Sequence, residues 1–259
     1  MINITIYNRH FYLTQESLSR RSAREIIPLV LEIVQPQSVI DVGCGVGGWS
    51  SVFLELGVRE ILGIDGDWVD TRMLQIPKTC FASHDLTQPL QLNRKFDLVV
   101  SLEVAEHLPS KCAEVFVDSL VRLGPIVLFS AAIPLQGGTH HINEQWPEYW
   151  SKLFEEREYV AVDAIRKRLW QNNEVDVCYA QNILFFVNQN YLKTHAFLKK
   201  AFERTCTNQL SLVHPKIYLA KSDPKNFSLR QMLQSFPIVF EKSLERAFRN
   251  LSRKFKQTK

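Results

Sequence analysis

The chain of 259 residues predicts an α/β fold: a doubly wound, mostly parallel seven-stranded sheet, with an N-terminal helix and a basic C-terminal helical extension. Three observations carry this expectation. Short, nearly continuous apolar runs alternate with helical stretches over residues 38–190, the pattern of strands covered on both faces. Four glycines fall between Gly43 and Gly48 in DVGCGVGGWS, between an apolar run and a helical one. Charge then changes sign along the chain. Residues 1–190 carry 16 Lys+Arg against 23 Asp+Glu, a net −7, and residues 191–259 carry 15 against 4, a net +11. The reading is a helical segment at 1–37, a central domain at 38–190 and a basic extension at 191–259.

Element by element, residues 16–34 have helical periodicity, with Pro28 either kinking the run or opening a second helix. Residues 38–41 form a first strand. A helix at 49–56 is stopped by Gly57. Strand 60–65 (EILGID) is followed by a short helix at 67–74, ended before Pro77. Strands at 80–84 and 96–101 precede a helix at 111–123, closed by Gly124. Strand 126–130, helix 146–157, strand 159–166 and strand 180–187 complete the domain.

Composition narrows the class. With 46% hydrophobic and 22% charged residues, the chain has the balance of a soluble globular protein. It has no apolar run of the ~18 residues that a membrane span needs. The first 15 residues lack a secretory layout. The five cysteines are scattered and have no ligand spacing, so they read as reduced packing residues of a cytoplasmic protein.

The glycine loop follows the first strand at the edge where such sheets bind ligands. Gly43, Gly45 and Gly47 allow a sharp turn and a close backbone approach, and the next helix offers its positive end to an anion. Alone, this loop suits NAD, FAD, a carboxylate or plain tight packing. Asp65 then ends the second strand, 24 residues after Asp41, where a carboxylate can accept from two ribose hydroxyls. Asp85, in HDL after the third strand, either accepts from an adenine amine or caps a turn. SLEVAEHL follows the fourth strand.

Taken together, DVGCGVG, GID, HDL and FDLVVSLEVAEHL resemble the class I S-adenosylmethionine-dependent methyltransferases, with a Rossmann-like fold, over about residues 38–190. The resemblance implies S-adenosylmethionine as cofactor and S-adenosylhomocysteine as product. It implies that Gly43, Gly45 and Gly47 pass under the methionine part and that Asp41 acts from behind the loop. Asp65 holds the ribose diol. Asp85 and Leu86 meet adenine, and the Ser101 backbone helps hold the ammonium group. Trp68 lies either on the adenine or in the core. Glu103 lines the site. His107 orients Glu103 or the substrate, or else caps the next helix.

Methyl transfer to a hydroxyl or amine needs a proton acceptor. The loop SAAIPLQGGTHHINEQWPEYW, residues 130–150, supplies His140 and His141, and one of them is the expected base, with Glu144 otherwise capping the next helix. His140, His141, Glu103 and Glu106 do not have spacing that demands a metal, so none is assigned. The stretch 236–259 reads as an amphipathic helix, with Phe240, Leu244, Ala247, Phe248, Leu251 and Phe255 on one face and Lys242, Arg246, Arg249, Arg253, Lys254 and Lys256 around it. It either docks on the core or contacts a membrane surface, and no nucleic-acid motif accompanies it. The expected activity is O-methylation of a small-molecule, glycan or lipid-linked acceptor. The alternatives are a nucleic-acid or protein methyltransferase, disfavoured where SLEV replaces an NPPY-type motif, and a non-catalytic cofactor-binding subunit.

Overall fold

The computed structural model describes the chain from Arg9 to Gln257. In chain order the elements are α1 (Arg9–Ile33), β1 (Ser38–Val42), α2 (Gly48–Glu55), β2 (Glu60–Asp65), β3 (Phe81–Ser83), β4 (Leu98–Leu102), α3 (Ala113–Leu123), β5 (Ile126–Ser130), α4 (Pro147–Glu155), β6 (Tyr159–Val162), α5 (Arg166–Leu169), α6 (Val177–Asn182), β7 (Leu184–Asn188), α7 (Gln189–Thr194), α8 (Ala196–Phe202), α9 (Pro215–Ser222) and α10 (Leu229–Gln257).

The seven strands make one sheet in the order β3-β2-β1-β4-β5-β7-β6. The first five pair in parallel, and β7 runs antiparallel between β5 and β6. Side chains alternate across the sheet and fill two apolar layers. Val39, Leu98, Val100, Leu128 and Phe185 face one layer, which holds Ile26, Ile27 and Val30 of α1 and Phe53 of α2. Ile40, Val99, Val127 and Phe129 face the other, with Phe116 and Leu120 of α3 and Trp150 and Phe154 of α4. Both faces are covered, which is why the strands read as unbroken apolar runs.

Several expected elements are corrected. α1 continues through Pro28, so no second helix starts there. Residues 67–74 are not helical. There the Asp70 carboxylate accepts from Arg72 N (3.0 Å), and Gln75 N donates to Val46 O (2.8 Å), local bonds that compete with a helix. Residues 177–182 form α6 rather than the start of a strand, because Asp176 caps the Cys178 amide (3.2 Å). Strand β6 stops at Val162. Arg166 is pinned instead, 2% exposed, with bonds to Asp163 Oδ2, Gln181 O and Leu210 O.

The chain divides into two compact units, the second beginning at Pro215. The charge change near residue 190 precedes that boundary. Leu192 of α7 and Leu198 of α8 are buried in the core of the first unit. In the second unit, α10 carries exposed Leu229, Leu233, Phe236, Phe240 and Leu244. The side chains of Ala247, Phe248, Leu251, Phe255, Arg253, Lys254 and Lys256 lie outside the described residues, as do residues 1–8. Among the described residues, no helix is long and apolar enough to cross a membrane.

Candidate functional site

Because β1 to β5 are parallel, their carboxyl ends share one edge. That edge brings together the glycine loop, Asp65, the HDL turn, Glu103 and the segment after β5. The junctions are tied directly. Gly43 N donates to Ile64 O (2.7 Å), and His84 N donates to Asp65 O (2.8 Å).

Gly43, Gly45 and Gly47 all have positive φ (85°, 55° and 84°), the region that disfavours a side chain. Protein contacts add to this. A Cβ on Gly43 would lie 2.4 Å from Val104 Cγ2, and one on Gly47 would lie 3.0 Å from Ile76 Cγ1. Gly43 is therefore required by the loop's own packing, and Gly47 is favoured by its φ with Ile76 close beside it. Gly47 is also the N-cap of α2, with no side-chain acceptor for the first amides of that helix.

Two buried carboxylates stand behind and beside this loop. Asp41 accepts from Ser50 Oγ (2.8 Å), and burial, with the Asp65 charge nearby, pushes its pKa from 3.8 up to about 7. Asp65 receives Gly45 N on one oxygen and Gly66 N on the other, each at 2.7 Å. Burial also raises Asp65, against the pull of those two amides. The Cys44 thiol is raised by burial and by both aspartates, which argues against a nucleophilic role.

Trp68 hydrogen-bonds Asp65, and its ring crosses Gly66 so closely that a Cβ there would sit 2.2 Å away. It also packs on Val46 and Val69. Asp85 is exposed and caps its own turn, accepting from Thr87 N (2.9 Å) and Thr87 Oγ1 (2.8 Å). Leu86 is in the core. Ser101 is fully buried, and its hydroxyl has no partner.

The loop after β5 is held by a second set of ties. Ile142 N and Asn143 N both donate to Glu106 O (2.9 and 3.0 Å), which lays the histidine loop against the Glu-His turn after β4. Glu103, at φ 54°, accepts from Gln136 Nε2 (3.0 Å) and Asn182 Nδ2 (3.1 Å). Burial raises its pKa against those bonds. Glu106 is fully buried, and burial, then the neighbouring Glu103 charge, raises it strongly against backbone bonds at Glu106 and Ala132. His107 and His141 meet edge to face at 4.9 Å. Burial, then His141, pushes His107 down to about 4, so it is neutral at ordinary pH. Glu144 does not cap the next helix. It accepts from Leu135 N (2.8 Å), Gly137 N (2.7 Å) and His141 Nδ1 (3.0 Å). His140 is exposed, at φ 60°.

Among the described residues, Glu106, His107 and His141 are the group able to offer three ligand atoms to one ion. The sequence reading missed this trio, and it also missed Gln136 and Asn182. The partners are distant along the chain, and no local spacing marks them.

A family model described as a methyltransferase domain matches residues 14–173, more than half of the chain. The chain belongs to the class I S-adenosylmethionine-dependent methyltransferases. It is similar to the chloroplastic tocopherol O-methyltransferase of Arabidopsis thaliana, 34% identical over 96 residues, which is 34% of this chain and 27% of that relative. The match thus spans about a quarter of the relative's length. Among solved structures it is similar to the methyltransferase domain of bacterial CtHen1 (18% identity, TM-score 0.48, 64% of this chain and 98% of that one). Another is magnesium protoporphyrin IX methyltransferase from Synechocystis PCC 6803 (18%, TM-score 0.47, 68% and 87%).

The methyltransferase's residues fit its cofactor, S-adenosylmethionine. The uncapped amides of α2 suit a carboxylate, and the Asp65 oxygens retain lone pairs for a diol.

Proposed function

We propose that this methyltransferase O-methylates a hydroxylated small-molecule, glycan or lipid-linked acceptor in the cytoplasm. The observation that carries the reading is the polar cluster of Glu103, Glu106, His107 and His141 at the same sheet edge as the glycine loop. When bound, the cofactor supplies an activated methyl on a sulfonium. In this reading the Gly43–Gly47 loop and Asp41 seat its methionine end, with the Ser101 backbone against the ammonium. Asp65 holds the ribose, and Trp68, Asp85 and Leu86 flank the adenine. Positioning then supplies much of the rate.

The acceptor hydroxyl must lose a proton, and His141 is the histidine favoured to activate it. Its Nδ1 lies 3.0 Å from a Glu144 carboxyl oxygen, which orients the ring so that Nε2 is the atom turned to an acceptor in this reading. His140 is turned to solvent. The net −7 of residues 1–190 disfavours a polyanionic acceptor such as nucleic acid. The five cysteines are free, in keeping with a reducing compartment.

Methyl-labelled S-adenosylmethionine, offered with hydroxylated small molecules and with a total lipid extract, should label one fraction. Loss of a positioned base lowers turnover by roughly 10²–10⁴-fold, so His141→Ala should cut kcat by at least tenfold and leave S-adenosylhomocysteine affinity nearly unchanged. Full turnover in that variant rejects His141 as the activating group.

For the second unit we propose contact with an anionic membrane surface. Residues 215–259 carry 11 Lys+Arg against 3 Asp+Glu, beside the exposed apolar residues of α10. The chain should sediment with vesicles containing anionic lipid, less so at high salt, and Phe236→Asp with Phe240→Asp should abolish this. Equal sedimentation with zwitterionic vesicles alone defeats the electrostatic part.

A further inference from the structure

We propose that the loop after β5 seats the hydrocarbon part of an amphiphilic acceptor, so that the molecule methylated is a hydroxylated head group on an apolar chain. Leu135, Ile142 and Trp146 carry the inference. They are 84%, 62% and 42% exposed and fall within one stretch of twelve residues. The other exposed large apolar residues described in the first unit, Leu18, Leu56, Leu92, Phe197 and Val213, are scattered along the chain. Single exposed apolar side chains are ordinary, whereas three in one short loop mark a surface for a ligand.

The loop is built to keep these side chains outward. Leu135 has a φ of 69°, a left-handed conformation that is unfavourable for a bulky side chain. The Glu144 carboxylate holds that backbone in place, accepting from Leu135 N (2.8 Å) and from Gly137 N (2.7 Å). Strain of this kind persists where surrounding bonds impose it, and it gathers at ligand-binding positions. Gln136, between the two, is anchored inward. Its Nε2 donates to Glu103 Oε2 (3.0 Å), and its Oε1 accepts from Asn182 Nδ2 (2.9 Å). A loop fixed in this way loses little freedom when a ligand covers it.

What covers the exposed residues follows from what they adjoin. Ile142 directly follows His141, and its amide donates to Glu106 O (2.9 Å). Trp146 follows Gln145, whose amide donates to Ala132 O (3.1 Å). Apolar side chains thus leave the same short stretch of backbone that supplies His141 to the polar cluster. A ligand that reaches both is polar at one end and apolar at the other. A free sugar would leave the three apolar side chains in water. An anionic bilayer is disfavoured as the occupant, because residues 1–190 are net −7 and the Glu103 and Glu144 carboxylates both bond this loop. That the bound molecule is the acceptor rests on the O-methylation reading, and that an amphiphile binds here does not.

The test is calorimetry of 4-alkylphenols, from phenol itself to 4-octylphenol, on the full chain saturated with S-adenosylhomocysteine. Each added methylene should tighten binding by about two- to fourfold until the exposed residues are covered. Leu135→Asp combined with Ile142→Asp should abolish this dependence and leave S-adenosylhomocysteine affinity unchanged. Both positions are exposed, and a melting temperature close to that of the parent shows that the variant is folded. No chain-length dependence in the parent, or the same dependence in the folded variant, overturns the proposal. Methyl-labelled S-adenosylmethionine offered with the same series separates the two ideas. Turnover that rises with chain length supports both. Chain-dependent binding without label transfer keeps the amphiphile site and rejects its identification with the acceptor, whereas label transfer without chain dependence rejects the apolar seat alone. Sedimentation with zwitterionic vesicles that is lost in the double variant assigns the loop to a bilayer and overturns the acceptor.

Discussion

Asp65→Ala should weaken S-adenosylhomocysteine binding by at least tenfold, and by up to about a hundredfold. Two effects combine. In the proposed reading the ribose loses a charged acceptor, and hydrogen bonds to charged groups contribute about 1.5–3 kcal/mol, where 1.4 kcal/mol is tenfold. The glycine loop loses an anchor as well, because Gly45 N and Gly66 N both donate to this carboxylate. Asp85→Ala is the useful contrast. Asp85 is exposed and bonds only within its own turn, so its removal should cost less than Asp65→Ala. Titration calorimetry on both variants measures this. An unchanged affinity for Asp65→Ala would remove the ribose role.

Asp41→Asn should stabilise the protein at pH 8 and change little at pH 4. The folded-state pKa of Asp41 is raised from 3.8 to about 7, chiefly by burial, with Asp65 and Cys44 its titratable neighbours. A raised carboxyl holds its proton longer in the folded state than in the unfolded one. Its contribution is therefore intact below pH 3.8 and is lost as pH rises through about 7. The full displacement corresponds to a penalty on the order of 4 kcal/mol. Asparagine avoids the charge and still accepts from Ser50, but its amide needs a partner, so a net gain of about 1–2 kcal/mol is expected. The melting temperatures of the two proteins should diverge between about pH 4 and 7 and stay apart at pH 8. Parallel curves would show that Asp41 ionises without penalty. In the proposed reading, where the Asp41 carboxylate backs the methionine seat, the same substitution should weaken cofactor binding.

The parts of the protein that the sequence made legible are the local ones. DVGCGVG, Asp65 and the HDL turn each sit at the end of a strand, and parallel strands bring strand ends to one edge without further information. The apolar runs of β1, β4 and β5 could be read because both faces of the sheet are covered. Errors arose where a polar side chain outbid the pattern. Asp176 turned 177–182 into a helix, and Asp70 kept 67–74 from forming one. Arg166 ended a strand early by reaching Asp163, Gln181 O and Leu210 O. The loop after β5 was only half legible. Its histidines stood out, but the meeting of His141 with Glu106 and His107 depends on two backbone bonds across some 35 residues, which no spacing rule encodes.

The clasp of Glu144 has an evolutionary consequence. Its two oxygens hold the Leu135 and Gly137 amides and the His141 ring, while Gln145 N closes the base of the loop on Ala132 O (3.1 Å). The stretch from Ile133 to His141 is thus a small ring, closed on itself and fastened at its foot. Its outer residue Leu135 is 84% exposed. Such a ring can be rewritten at its rim without disturbing the sheet. In the proposed reading, where this ring faces the acceptor, acceptor choice can drift among descendants of this chain while the methyl-donor half stays fixed.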